Sequence, residues 1–459
     1  MKKLILIASL ISCELGLMAQ TNPGITSWLQ NTTVTGRHYV SGNSIPINDA
    51  DLVNVQTVQF STDTQFVYVS ATGIPAYVTG PFLDGNPSLA TAQNSIFKFP
   101  LNPVVNTGTK TATNMGNIGV FINGTALFDY RDGVGWNSTS NTICGGPGNA
   151  PCPGGPGATS DWNRDAIPAE MAGFDCSKGH PAMGNYHHHQ NPSAFKLDLN
   201  VISTICNTYD ADGLYAIDST VHSPLIGFAY DGFPIYGAYG YMNNDGTGGI
   251  SRIKSGYQLR NITTRTHWAD GTDVDDGPAV DATYFLGYFK EDYEFLTHPG
   301  EEDYLDEYNG RFCVTPEYPD GMYCYFATVD ENWNSAYPYV VGPSFYGVKS
   351  ATTVTSITES VYTYDNTTAL NEYDLDRVEI NVFPNPANEF VVIQMNTLNK
   401  QNVTVDLYDI AGKLINSTTI YQGTTIAHID TRSLYAGQYI IRLSSNNQTV
   451  TKKVMISRN

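Results

Sequence analysis

The chain has 459 residues, a formal net charge of -20, 41% hydrophobic and 15% charged residues, and 30 tyrosines. The acidity excludes a nucleic-acid binder, because phosphates would be repelled, and the ordinary apolar content excludes a disordered chain. Abundant Tyr, Thr, Asn and Gly favour strands joined by tight turns, so an all-β exported protein is expected.

Residues 1–19 read as a signal peptide: Lys2 and Lys3 precede the apolar run LILIASLIS, and small Ala19 precedes the cut. Leu10-Ile11-Ser12-Cys13 resembles a lipobox, but the apolar segment continues past Cys13, which favours cleavage after Ala19. No later segment is apolar enough to cross a membrane, so the mature chain is expected to lack a transmembrane segment. Six cysteines then remain: Cys144, Cys152, Cys176, Cys206, Cys313 and Cys324. An even count in an exported chain suggests disulfides in one of 15 pairings. Cys313 and Cys324 flank a turn-rich stretch and would face each other across a hairpin.

From Ile25 to about Tyr130 the pattern is β, with Asn123-Gly124 between apolar runs as a hairpin signal. In 144–157, CGGPGNAPCPGGPG, ten of fourteen residues are Gly or Pro, which reads as a disulfide-closed insertion. Residues 20–348 form one β-rich body, and the Thr-, Ser- and Asn-rich stretch 349–377 reads as a linker. Residues 378–459 carry 7 basic and 5 acidic residues, whereas 20–377 carry 15 and 38, so the tail is a separate module. Its alternating runs VEINV, VDLYDIAGKLI, QYIIRLSS and TVTKKVMIS predict a small sandwich.

Seven of the nine histidines fall between 180 and 298, and three are consecutive in GNYHHHQNP. Neutral imidazole is a common ligand for Zn and Cu. In a strand, residues two apart share a face, so His187 and His189 point together and His188 points away. His180 and His222 are candidate further imidazoles, and Asp231 a candidate carboxylate. The alternative for each is a hydrogen-bonded core residue. Asp270, Asp273, Asp275, Asp276 and Asp281 form an oxygen-rich stretch that suits Ca²⁺, although the spacing does not fit an EF-hand and an exposed loop is the simpler reading. No H-E-x-x-H, G-x-S-x-G or P-loop occurs. Asp165, Glu170, Asp231, Asp306 and Glu307 are carboxylates from which a hydrolytic pair could be drawn. Arg311 beside Asp306 reads as a structural ion pair or hydrogen-bond anchor. Trp136, Trp162, Trp268 and Trp333 offer a sugar-stacking platform, against the simpler reading of β-sheet packing.

Two resemblances add to this. Phe383-Pro384-Asn385-Pro386-Ala387, Leu407-Tyr408-Asp409-Ile410-Ala411-Gly412-Lys413, Leu434-Tyr435-Ala436-Gly437-Gln438-Tyr439 and the basic Lys452-Lys453 resemble the C-terminal sorting domain of the type IX secretion system of Bacteroidetes. That implies an immunoglobulin-like β-sandwich read by the type IX machinery, a secreted or outer-surface location, and attachment to surface lipopolysaccharide as one fate after tail removal. The body resembles the YHYH-domain family through Tyr186-His187-His188-His189 with Pro192, HSPLIGFAYDGFPIYG, and the LDEYNGRF and TPEYPDG segments. His188 replaces the family's second tyrosine. Tyr323-Cys324-Tyr325-Phe326 stands where some members carry a second Tyr-His-Tyr-His, so a shared site needing those histidines is absent here or replaced by a cysteine. The resemblance implies no established activity. The sequence favours an exported, non-enzymatic protein binding Cu or Zn through a histidine cluster. A carbohydrate-binding or adhesive surface protein is the alternative, and a secreted hydrolase the third reading.

Overall fold

The computed structural model describes residues 22–458 apart from 84–87, 147, 155–159, 202, 365–374, 376–377, 397–401 and 446–447. The signal peptide and Cys13 lie outside the described residues. The fold is nearly all β, and among the described residues no helix is long and apolar enough to cross a membrane.

Two large sheets, with several sheets of two or three strands beside them, build the body. One has five antiparallel strands in the order Thr352–Val354, Ser95–Pro100, Phe66–Ala71, Val55–Ser61, Val361–Tyr364. Its two edge strands come from the stretch read as a linker, so 349–364 belongs to the body. Thr and Val favour strands, and an edge strand needs no continuous apolar face, which is why the composition misled.

The second sheet has eight strands: β1 (Asn117–Phe121), β2 (Ala126–Phe128), β3 (His180–Ala182), β4 (Asn185–His188), β5 (Leu225–Ala229), β6 (Pro234–Tyr236), β7 (Gly310–Cys313) and β8 (Met322–Phe326). Their spatial order is β3-β4-β2-β1-β5-β6-β8-β7. Central β5 reads LIGFA and is buried throughout, as expected of a strand covered on both faces. Trp28 and Phe99 pack on Phe228 at ring separations of 5.3 and 6.4 Å, joining both sheets in one core. Each aromatic so buried contributes about 1.5–3 kcal/mol.

Cys144–Cys152 closes the Gly/Pro insertion, and Cys176–Cys206 ties the loop before β3 to a short 3-10 turn. Cys313 and Cys324 are buried free thiols, which corrects the expected third bridge. The register explains it. Cys313 lies opposite Met322 and Cys324 opposite Arg311, so the cysteines share a face only diagonally. The two thiols are close neighbours that interact without being bonded.

The tail packs a three-stranded sheet (Ile380–Phe383, Phe390–Met395, Ile426–Asp430) on a four-stranded one (Leu414–Ile420, Val403–Asp409, Gly437–Ser445, Gln448–Ile456). Tyr439, Ile441 and Leu443 alternate inward, leaving Lys453 exposed on the neighbouring strand. Asn385 accepts from Met455 N at 2.9 Å and donates to Lys453 O at 3.1 Å, so the Pro384-Asn385-Pro386 turn is clipped to the basic last strand. Gly412 sits at φ +82° in the turn capped by the Asp409 carboxylate. Phe383, Val392 and Ile426 of the tail pack on Ala194, Leu197 and Ala216 of the body.

Candidate metal centre

A tight turn through Met183 and Gly184, both at positive φ, folds β4 back on β3 and sets His180 directly opposite His187. His189 follows one residue after β4, so strand alternation brings it to the face of His187. The ligand atoms of His180, His187 and His189 all lie within 4.8 Å of one another, and all three residues are buried. Phe128 stacks on the His187 ring at 3.8 Å, and Phe174 meets His180 edge-on at 4.9 Å, which pins both imidazoles.

The hydrogen bonds fix the tautomers of two of them. His187 Nδ1 donates to Asn185 O at 2.9 Å, and His189 Nδ1 donates to Asp129 O at 2.5 Å. A carbonyl only accepts, so each Nδ1 carries the proton and each Nε2 presents a lone pair. Those two Nε2 atoms stand 3.1 Å apart. Burial, then the neighbouring imidazoles, push His187 well below the usual range, and burial first pushes His189 down to about 3. Both rings are therefore held neutral.

A carboxylate completes the group. The short helix Ala166–Glu170 starts where the Asp165 side chain accepts from Ile167 N, and it ends on Glu170. Glu170 Oε2 lies 3.3 Å from His180 Nε2 and 3.4 Å from His189 Nε2. Its side chain is 25% exposed, against 8% for His180 and 4% for His189. Glu170 was a carboxylate of interest in the sequence, but nothing there tied it to the histidines. The loop 171–179 that carries the chain from helix to β3 makes the connection.

His188 faces the other way, with Nε2 2.6 Å from Tyr77 Oη and Nδ1 donating to Lys178 O at 3.0 Å. It is a core residue, as its tyrosine-like position implied. His222 and Asp231 are not part of the cluster. His222 lies against Tyr236 and Tyr241 in the other half of the sheet, with Nδ1 donating to Ser223 O at 2.7 Å. Asp231 caps the β5–β6 turn, accepting from Tyr325 Oη at 2.6 Å and from Gly347 N at 2.8 Å. Arg311 pairs with backbone carbonyls, while Asp306 accepts instead from Tyr323 Oη at 2.9 Å. In the acidic stretch, Asp270 and Asp281 accept from the backbone N–H groups of their own turns. Trp162 is buried and donates to Asp275 O, and Trp333 donates to Tyr239 Oη.

The profile of the YHYH protein family matches residues 96–338, more than half of the chain, and that of the secretion system C-terminal sorting domain matches 381–457. The chain belongs to the YHYH protein family. Its sorting domain marks this YHYH protein as a type IX secretion cargo, exported to the medium or the outer surface. It is also similar to an endo-acting ulvan lyase of Formosa agariphila, 35% identical over 79 residues. That match spans 17% of this chain and 15% of the lyase.

Proposed function

We propose that this exported YHYH protein holds one zinc ion through His180, His187, His189 and Glu170, and that its role is metal binding rather than catalysis. The supporting observation is the pair of unprotonated Nε2 atoms 3.1 Å apart, with a carboxylate oxygen 3.4 Å from one of them. Lone pairs and a carboxylate converge in a buried place only at a cost that a cation removes. Zinc–nitrogen bonds of about 2.0–2.1 Å at tetrahedral angles place two ligands roughly 3.3 Å apart. The separations of 3.1, 3.3 and 3.4 Å are close to that edge, and the three imidazole ligand atoms all lie within 4.8 Å of one another. Copper(II) prefers tetragonal sites, and calcium prefers an all-oxygen shell. The Asn185 and Asp129 carbonyls are the outer partners that hold two ligands in the required tautomer. Three imidazoles and one carboxylate fill a tetrahedral shell and leave no position for a reacting water.

Elemental analysis of untagged full-length protein tests this. About one zinc per chain is expected in the wild type and none in His187→Ala/His189→Ala. Negligible zinc and copper in both would sink the proposal. The same reading takes the mature body to be either released or linked to surface lipopolysaccharide, which mass spectrometry of its C-terminus distinguishes.

A further inference from the structure

The eight-stranded sheet has the same construction read from either edge. β1 and β5 pair antiparallel at its centre, Gly119 with Ala229, Val120 with Phe228, Phe121 with Gly227. The hairpins on either side match residue for residue. β1–β2 pairs Asn117 with Phe128, Gly119 with Leu127 and Val120 with Ala126, and β5–β6 pairs Leu225 with Tyr236, Gly227 with Ile235 and Phe228 with Pro234, each with one register shift at the same place. Both turns put Gly at positive φ after an Asn or Asp whose side chain accepts from the residue two on. β4 runs parallel to β2 as β8 runs parallel to β6. β3 then closes one edge and β7 the other.

The loops entering β3 and β7 match as well. Asp175 Oδ1 accepts from Ser177 N and Gly179 N, and its carboxylate from Tyr186 Oη. Asp306 Oδ1 accepts from Tyr308 N and Gly310 N, and its carboxylate from Tyr323 Oη. Lys178 and Asn309 occupy equivalent left-handed positions at φ 65° and 62°. This register superposes Arg311 on His180, Cys324 on His187 and Phe326 on His189.

We infer that the sheet is two copies of one four-strand unit about a pseudo-twofold axis, and that in the second copy the Arg311 guanidinium takes the place of the cation held by the first. The inference rests on the metal reading of the first copy. Arg311 is 6% exposed and is held by backbone carbonyls: Nη2 donates to Tyr241 O at 2.5 Å, and Nη1 to Met242 O at 3.1 Å and to Glu302 O. Its guanidinium lies 5.3 Å from the ring of Phe326, the counterpart of His189. One copy therefore collects imidazoles around an exchangeable charge. The other replaces them with a thiol and a phenyl ring around a charge fixed by its own chain. Among the described residues, the His180–His187–His189 cluster is the one convergent group of three or more ligating side chains, so one metal per duplicated body is expected.

The test is to restore the second pocket in the full chain with Arg311→His, Cys324→His and Phe326→His, load with zinc, desalt and count. One zinc is expected in the wild type, two in the triple variant, and one when His187→Ala/His189→Ala is added to it. A folded triple variant that stays at one zinc overturns this inference and leaves the first site standing. Zero in the wild type overturns the first-site reading and with it the assignment of Arg311 to the cation's place, whatever the triple variant binds. Should the triple variant not fold, Arg311→Lys and Arg311→Met decide. Lys should keep at least half of the thermal midpoint that Met loses, with neither affected by chelator. Equal losses, or losses erased by chelator, overturn the inference.

Discussion

Body and tail both close antiparallel sheets over a core, yet their interiors differ. The tail is filled by Val391, Ile393, Val405, Leu407, Ile441 and Leu443, each at 0% exposure. The body buries Asp165, Asp175, Lys178, Asp231, Arg265 and Asp292 at 1% exposure or less. Each has a defined partner, such as the bidentate Arg265–Asp292 pair at 2.7 Å or the Asp165 carboxylate accepting from Tyr339 Oη at 2.5 Å. Apolar packing tolerates small shifts, whereas a buried ion pair is strongly destabilised when one partner is removed. The tail carries the sorting signal for type IX secretion. The body has to hold imidazoles in place, and the polar locks do this around β3 and β4.

The sharpest way to break this comparison is the Lys178–Asp198 pair, 2.6 Å long, with side chains 1% and 0% exposed. Burial pushes Lys178 down and Asp198 up to about 7, and each opposes the other's shift. Asp198→Ala should cost the body about 3–5 kcal/mol by leaving a buried ammonium unpaired. Lys178→Met/Asp198→Leu should recover most of that, as denaturant titration would read. A double variant as weak as the single one would mean that shape, not charge, sets the cost.

Next is Cys176–Cys206, a bridge across a sequence separation of 30. It anchors the Asp175–Gly179 lock in the first half of the sheet, and Glu307 holds the corresponding place in the second. Cys176→Ser/Cys206→Ser should cost roughly 3.5 kcal/mol on a chain-entropy estimate. The tail transition in calorimetry should not move. A smaller effect follows from metal removal. Zinc at about 100 times its Kd stabilises by about 2.7 kcal/mol. Chelation should therefore lower the body transition by an amount of that order and leave the tail unchanged. His187→Ala/His189→Ala should already lack that increment. A chelator shift of equal size in the double variant would place the metal elsewhere.

What the sequence made legible follows from how local each signal is. The tail was readable because three of its pairings join consecutive strands and its motifs are turns. The His187/His189 pair followed from strand alternation, and His180 from lying just before it. His222 and Asp231 qualified as candidates by donor type and proximity in sequence, and nothing in the sequence says that the β5–β6 hairpin beside them belongs to the other half of the sheet. Glu170 stayed unconnected because its approach depends on a nine-residue loop, 171–179. The duplication left a trace in Ile118-Gly119 with Asn123-Gly124 and Ile226-Gly227 with Asp231-Gly232. Connections of unequal length before β3 and before β7 hide the rest, since register, not identity, carries the repeat.

The smallest expected effect tests whether body and tail are independent at all. His428 of the tail has a side chain 7% exposed, with Nδ1 2.5 Å from Asp212 Oδ1 and Nε2 3.1 Å from Asp210 Oδ2 of the body. Burial alone would lower His428, but the two carboxylates outweigh it and lift it to about 9. Burial alone would raise Asp210, but His428 and Lys196 together outweigh it and hold Asp210 at about 2. A histidine raised on docking contributes fully below its free value of about 6.5, and the contribution fades as pH rises through the raised one. A carboxylate depressed on docking contributes above its free value of about 3.9 and is lost as pH falls through the depressed one. The contact should therefore be strongest from about pH 4 to 6.5 and gone by about pH 10. The thermal midpoint of wild type minus that of His428→Ala, followed from pH 5 to 10, should be positive at the acid end and shrink towards zero. A difference that stays constant with pH would assign the contact to the apolar patch of Phe383, Val392 and Ile426 alone, and the charged triad would then add nothing to holding the tail on the body.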